Sequence, residues 1–120
     1  MNNTKIEKME KNALLEKIVV YVPSTRFDVP LQAHEKERLD RFVMSTLSSI
    51  FGGVTMIPAH GAYISDGGKL IIENITQAHC FSAQLDNVQV DKVLDMVDFV
   101  KSEYEQESMA MEINGKLHFL

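Results

Sequence analysis

The apolar residues of this chain change period along its length, and the order of those changes leaves few folds open. Just after Lys17 the run IVVYV is continuous and β-branched, which marks a buried strand ending at Val22. From His34 to Phe51 the spacing turns helical: Leu39, Phe42, Val43, Leu47 and Ile50 share a stripe, with Glu35, Lys36, Arg38, Asp40 and Arg41 on the wet side. Gly52-Gly53 stops that helix, since glycine accepts a left-handed cap cheaply. Two extended stretches follow, Val54–Ile64 and Lys69–Phe81, with Ser65-Asp66-Gly67-Gly68 as hairpin punctuation between them. Residues 87–106 return to helical spacing through Val90, Val93, Leu94, Val97, Val100 and Tyr104. The tail alternates on either side of Asn114-Gly115, the dipeptide that best tolerates the positive φ angles of a tight hairpin turn.

The order β-α-β-β-α-β-β predicts an α+β two-layer sandwich with both helices on one face of an antiparallel-rich sheet. That is a ferredoxin-like split βαβ plan with an added C-terminal hairpin strand. The other face of the sheet is left for solvent, a ligand or a second subunit. Upstream, Ile6, Met9, Ala13 and Leu14 form a narrow stripe among lysines and glutamates, so residues 1–16 read as a tail or a short helix capped by Asn3 or Thr4. Residues 17–120 then form a single α+β domain. Pro23 ends the first strand, and Ser24–Ala33, with Pro30 inside it, reads as a loop. Pro58 and Gly61 give Val54–Ile64 the character of an edge strand or of backbone kept bare for an approaching group.

A chain of 120 residues is one domain's worth, and its 45% apolar content can supply a core. The net charge of −5 argues against a nucleic-acid partner. No apolar run approaches the about 20 residues of a membrane span, so no membrane partner is expected. A single cysteine forms no internal disulfide, and with no signal-like N-terminus the expected place is the cytoplasm. His79 and Cys80 are adjacent and would point to opposite faces of a strand, and no His, Cys or carboxylate set has ligand spacing, so neither a metal nor a cofactor is expected. Cys80 reads as a small buried hydrophobe, not a nucleophile.

The candidate site is an inventory of residues suited to a small polar ligand. Ser24, Thr25 and Arg26 follow the first strand, where hydroxyls, backbone N–H groups and a guanidinium can meet an anion. Gly61 and Tyr63 share a strand face with His60 beside them, and Glu73 is the one carboxylate of an otherwise apolar strand.

The segments YVPST, FGGVT, HGAYIS, GGKLIIE and MEINGKLHF carry a resemblance. The chain resembles small uncharacterised proteins of phages and mobile elements of low-GC bacteria, and its middle region is similar to the domain-of-unknown-function family 3574. The matching positions are Pro23, Ser24, Thr25, Phe51, Gly52, Gly53, Thr55, Gly61, Tyr63 and Glu73, which adds Thr55 to the candidate site. Of activity the resemblance implies little; its phage setting implies interference with host defence.

The resulting expectation is a non-enzymatic protein, a homo-oligomer (a dimer or higher), that sequesters a nucleotide-like signal through Ser24, Thr25, Arg26, Thr55, His60, Gly61, Tyr63 and Glu73, with no catalytic residue. Two alternatives stand beside it. One is a protein-binding inhibitor that uses the second helix, since residues 86–107 hold seven acidic side chains against two basic ones. The other is a small enzyme with His60 and Glu73 as acid–base groups.

Overall fold

The computed structural model describes residues 4–120. In chain order the elements are α1 (Thr4–Lys11), β1 (Glu16–Val22), β2 (Thr25–Arg26), β3 (Val29–Pro30), α2 (Ala33–Phe51), β4 (Thr55–Ile64), β5 (Leu70–Ser82), α3 (Asn87–Glu103), β6 (Ala110–Ile113) and β7 (Lys116–Phe119). Five strands form one sheet in the order β4-β5-β1-β6-β7, every neighbouring pair antiparallel. Asn3, one of the two cap candidates, lies outside the described residues.

The α+β layering follows from alternation. On β1, Ile18, Val20 and Val22 face the helices, and their partners Cys80, Ala78 and Thr76 on β5 share that side. Against them pack Leu39, Val43 and Leu47 of α2 and Val93, Val97 and Val100 of α3, all buried. Two helix boundaries follow from local sequence. Gly52 closes α2 at φ 85°, its N–H donating to the Ser48 carbonyl at 2.8 Å. Asp86 caps α3 by accepting from the Gln89 N–H at 2.8 Å. In the tail, Asn114 and Gly115 both hold positive φ, 51° and 82°, as a tight hairpin turn requires.

Several sequence expectations need correction. Ser24–Ala33 is not a plain loop: β2 and β3 make a miniature hairpin, with Thr25 opposite Pro30 and Arg26 opposite Val29. Tertiary bonds hold it, for the Gln106 amide donates to the Thr25 carbonyl at 2.8 Å and the Phe27 N–H to that of Tyr104 at 3.0 Å. The α3 helix stops at Glu103, short of residue 106, because Glu105 turns left-handed at φ 50°. Phe42 is not an inner residue; it sits at the helix-layer surface, its ring 5.1 Å from that of Phe99.

One feature of the sheet positions the site. β1 ends at Val22, opposite Thr76, so Leu70–Ile75 of β5 pair with β4 alone. The β4–β5 hairpin therefore runs past the sheet as a two-stranded arm, in a molecule 57 Å long and 31 Å wide. Where the helices would have covered its inner face, Ile64, Leu70 and Ile72 are left exposed.

Candidate functional site

Register decides which of the expected site residues meet. Gly61 lies opposite Glu73 on the arm, and Tyr63 is two residues on along the same face. Directly opposed residues have Cβ positions about 5 Å apart and diagonal ones about 7–8 Å, so the Tyr63 ring and the Glu73 carboxylate reach one another's surroundings. The residues around them on that face are aliphatic: Ala59 on β4, and Ile71 and Ile75 on β5. The result is one carboxylate and one phenol ring on an aliphatic ground with a bare backbone at Gly61, where even an added Cβ would meet nothing within 4 Å.

The other expected members fall away from it. His60 pairs with Asn74 and lies on the opposite face of the arm, so His60 and Glu73 cannot act as one acid–base pair within a chain. Thr55 shares the open face but is six residues from Gly61, about 20 Å along the strand. Thr25 and Arg26 turn toward the helix layer, while the Ser24 carbonyl accepts from the Leu31 N–H at 2.9 Å. The Arg26 guanidinium donates to Glu35 at 2.9 Å, lies 5.0 Å from the Tyr104 ring centre, and reaches the Glu103 carbonyl at 3.5 Å. Its pKa is raised and that of Glu35 lowered, in both cases chiefly by their mutual hydrogen bond. Arg26 is thus a clamp between the miniature hairpin, α2 and the end of α3.

A second polar group on the open face went unread in the sequence. The Tyr21 hydroxyl donates to Glu112 at 3.0 Å, and His79 Nε2 meets the Gln77 side-chain oxygen at 2.9 Å. Burial, and then the Glu112 bond and charge, raise the Tyr21 pKa. Burial and the nearby Lys17 lower that of His79, favouring its neutral ring. Tyr21 is opposite Gln77, so the group continues the face that carries Glu73. Its only sequence signals are a hydroxyl inside IVVYV and a lone glutamate in AMEI. Cys80, by contrast, is buried on the helix side, and burial pushes its thiol up to about 11.

Two shallow cavities lie elsewhere. One, of about 520 Å³, is lined by Leu14, Phe51, Phe81 and the start of α3. The other, of about 500 Å³, runs between α2 and α3 past Phe42 and Phe99. Among the described residues no group of three or more His, Cys, Asp or Glu is placed to hold a metal, and no helix is long and apolar enough to cross a membrane.

The fold places the chain among two-layer α+β proteins, and solved structures share it. A phage SAM lyase in complex with S-methyl-5′-thioadenosine is 19% identical, with a TM-score of 0.62 over 88% of each chain. A phage SAM lyase in the apo state is 20% identical at the same TM-score, covering 88% of this chain and 87% of the other. No family model and no curated protein matches the chain. At these identities the likeness establishes the fold. Both neighbours are nevertheless an enzyme, one of them holding a nucleoside thioether, and this overturns the expectation of a non-enzymatic sequestering protein in favour of its enzyme alternative.

Proposed function

We propose that the chain is an enzyme that cleaves S-adenosylmethionine and releases S-methyl-5′-thioadenosine, with its site on the open face of the arm. The observation that carries this reading is a fold shared over nearly nine-tenths of both chains with a SAM lyase, joined to the Tyr63–Glu73 face. The strand order is read as the split βαβ plan with β7 added.

The chemistry suits the residues. The substrate carries a sulfonium, an α-ammonium and a carboxylate. If its own carboxylate oxygen attacks the γ-carbon, a C–O bond forms as the C–S bond breaks. The bonding pair leaves on sulfur, a neutral thioether departs and the four-carbon fragment closes as a lactone. Sulfonium and carboxylate charges cancel, atoms balance, and no water, base or redox partner enters. Only the ammonium charge persists, so Glu73 belongs there: on the sulfonium it would stabilise the substrate more than the transition state. The Tyr63 ring offers the adenine a flat surface.

The arm, bare on its inner face and carrying the site on its open face, is enclosed on both in this proposal by further copies, so the active form is a homo-oligomer. In a phage, such a reaction would interfere with host defence by removing a methyl donor. The test is to incubate the purified chain with S-adenosylmethionine in ¹⁸O-water and analyse the products by mass spectrometry. Methylthioadenosine with an unlabelled lactone is expected. Intact substrate after long incubation would overturn the proposal.

A further inference from the structure

We infer that Asp40 is a positioning residue: through Thr76 and Lys36 it sets the angle at which the arm leaves the body, and so where the Tyr63–Glu73 face stands. The arm needs such a device. A two-stranded hairpin is marginally stable by itself, and Leu70–Ile75 pair with β4 alone. The place where the arm bends is Thr76, the residue of β5 nearest the arm that still has a partner on β1. On its other side stands Pro58, which has no N–H to give to the ladder.

Three elements meet at that point on the helix side. Thr76 is 7% exposed, and its hydroxyl donates to Asp40 Oδ2 of α2 at 3.3 Å. Asp40 Oδ1 accepts from the Lys36 ammonium at 2.8 Å. The same ammonium donates to the Pro23 carbonyl at 3.0 Å, one residue past the end of β1. Helix α2, the root of the arm and the end of β1 are thereby tied at one carboxylate. Among the described residues no other side-chain hydrogen bond joins 55–76 to the rest of the chain. The charge on the acceptor strengthens the Thr76 bond, and a hydroxyl this buried finds no water to replace it. Apolar packing below Thr76 has no preferred direction, whereas a hydrogen bond to a fixed carboxylate has one.

The consequence for turnover rests on the proposed lyase activity; the latch itself does not. Tyr63 and Glu73 move with the arm as one unit, so a substrate held by both keeps those contacts when the arm tilts. What changes is the fit of the loaded arm against the copies that close over it, and misplacement at that level acts on the rate. Loss of the latch therefore lowers kcat and spares KM.

The test reads the arm directly. In a Cys80→Ala background, Asp66→Cys at the turn of the arm and Asp95→Cys on α3, both exposed positions, carry spin labels. Labelled chain is diluted into unlabelled chain so that each assembly holds one pair, and double electron–electron resonance gives the distance distribution between turn and body. Thr76→Val, isosteric but without the hydroxyl, should widen that distribution roughly twofold. Asp40→Ala, which leaves the sheet untouched, should do the same, and Thr76→Ser should restore the parent width. With S-adenosylmethionine, Thr76→Val and Asp40→Ala should lose roughly fivefold or more in kcat at a nearly constant KM, with circular dichroism unchanged. A width indifferent to the hydroxyl, or a widened distribution with unchanged kcat, would overturn the inference. A parent chain that leaves S-adenosylmethionine intact would overturn the lyase reading instead, and the distance distributions alone would then decide for or against the latch.

Discussion

Substituting Glu73 by glutamine tests the register argument and the proposed chemistry together. The side chain is exposed on the arm, so the exchange is isosteric and leaves the core untouched. What it removes is a charged acceptor for the substrate's ammonium. A hydrogen bond to a charged group contributes about 1.5–3 kcal/mol. At about 1.4 kcal/mol per tenfold, kcat/KM for S-adenosylmethionine cleavage should fall roughly 10- to 150-fold. Because the ammonium keeps its charge throughout, the contact is equal in substrate and transition state, and the loss should sit mainly in KM. The control is His60→Ala, one residue before Gly61 in sequence but on the other face, opposite Asn74. Methylthioadenosine release followed by liquid chromatography over a range of substrate concentrations reads both variants. If Glu73→Gln cleaves like the parent while His60→Ala is dead, the site is on the inner face and the reasoning fails.

Tyr63→Ala should raise KM by roughly 5- to 150-fold, the scale of about 1–3 kcal/mol for a lost stacking surface, read by the same assay. Cys80→Ala should keep activity and cost on the order of 1 kcal/mol in denaturant unfolding. Because the folded Cys80 pKa stands near 11 against an unfolded value near 9, the folded state keeps a proton that the unfolded chain loses. Stability should therefore be level below pH 9 and fall from pH 9 to 11, with a flatter slope in Cys80→Ala. Gly115→Ala forces a Cβ to φ 82° and should destabilise the chain by about 1–2 kcal/mol, measured as a lower urea midpoint with unchanged m.

The parts of the fold that were legible are those written in local chemistry. Gly52, Asn114-Gly115 and the helical stripes each specify their element through backbone conformation or a single buried face. The β2–β3 hairpin was not legible, because the bonds that anchor it to the body come from Gln106 and Tyr104, distant in sequence. The candidate site divides on the same line. Gly61, Tyr63 and Glu73 share a face by period two and by one hairpin register, both inferable locally. The polar local context of Arg26 reads as an anion site, but Glu35 and the Tyr104 ring take its guanidinium through contacts no spacing rule encodes. Tyr21 and Glu112 lie 91 positions apart, and only the β1–β6 pairing brings them together.

The enzyme reading also changes what the missing acid–base pair means. Separation of His60 from Glu73 would be damaging for a reaction that moves protons. In the proposed cleavage the nucleophile is a carboxylate that is already ionised, and the leaving group departs as a neutral thioether, so no proton moves at the γ-carbon. What such a reaction asks of the protein is a folded substrate conformation that brings carboxylate and γ-carbon together, and surroundings poorer in water. The attraction between the two recombining charges grows as the local dielectric falls. The ground around Glu73 is aliphatic, through Ala59, Ile71 and Ile75, but it lies on an arm paired along one edge only. A water-poor site there requires that something close over the arm, which binds the proposed activity to the proposed assembly. Cleavage rate per chain should therefore fall on dilution in step with the loss of the oligomer seen by light scattering, and an activity independent of chain concentration across that transition would separate the two proposals.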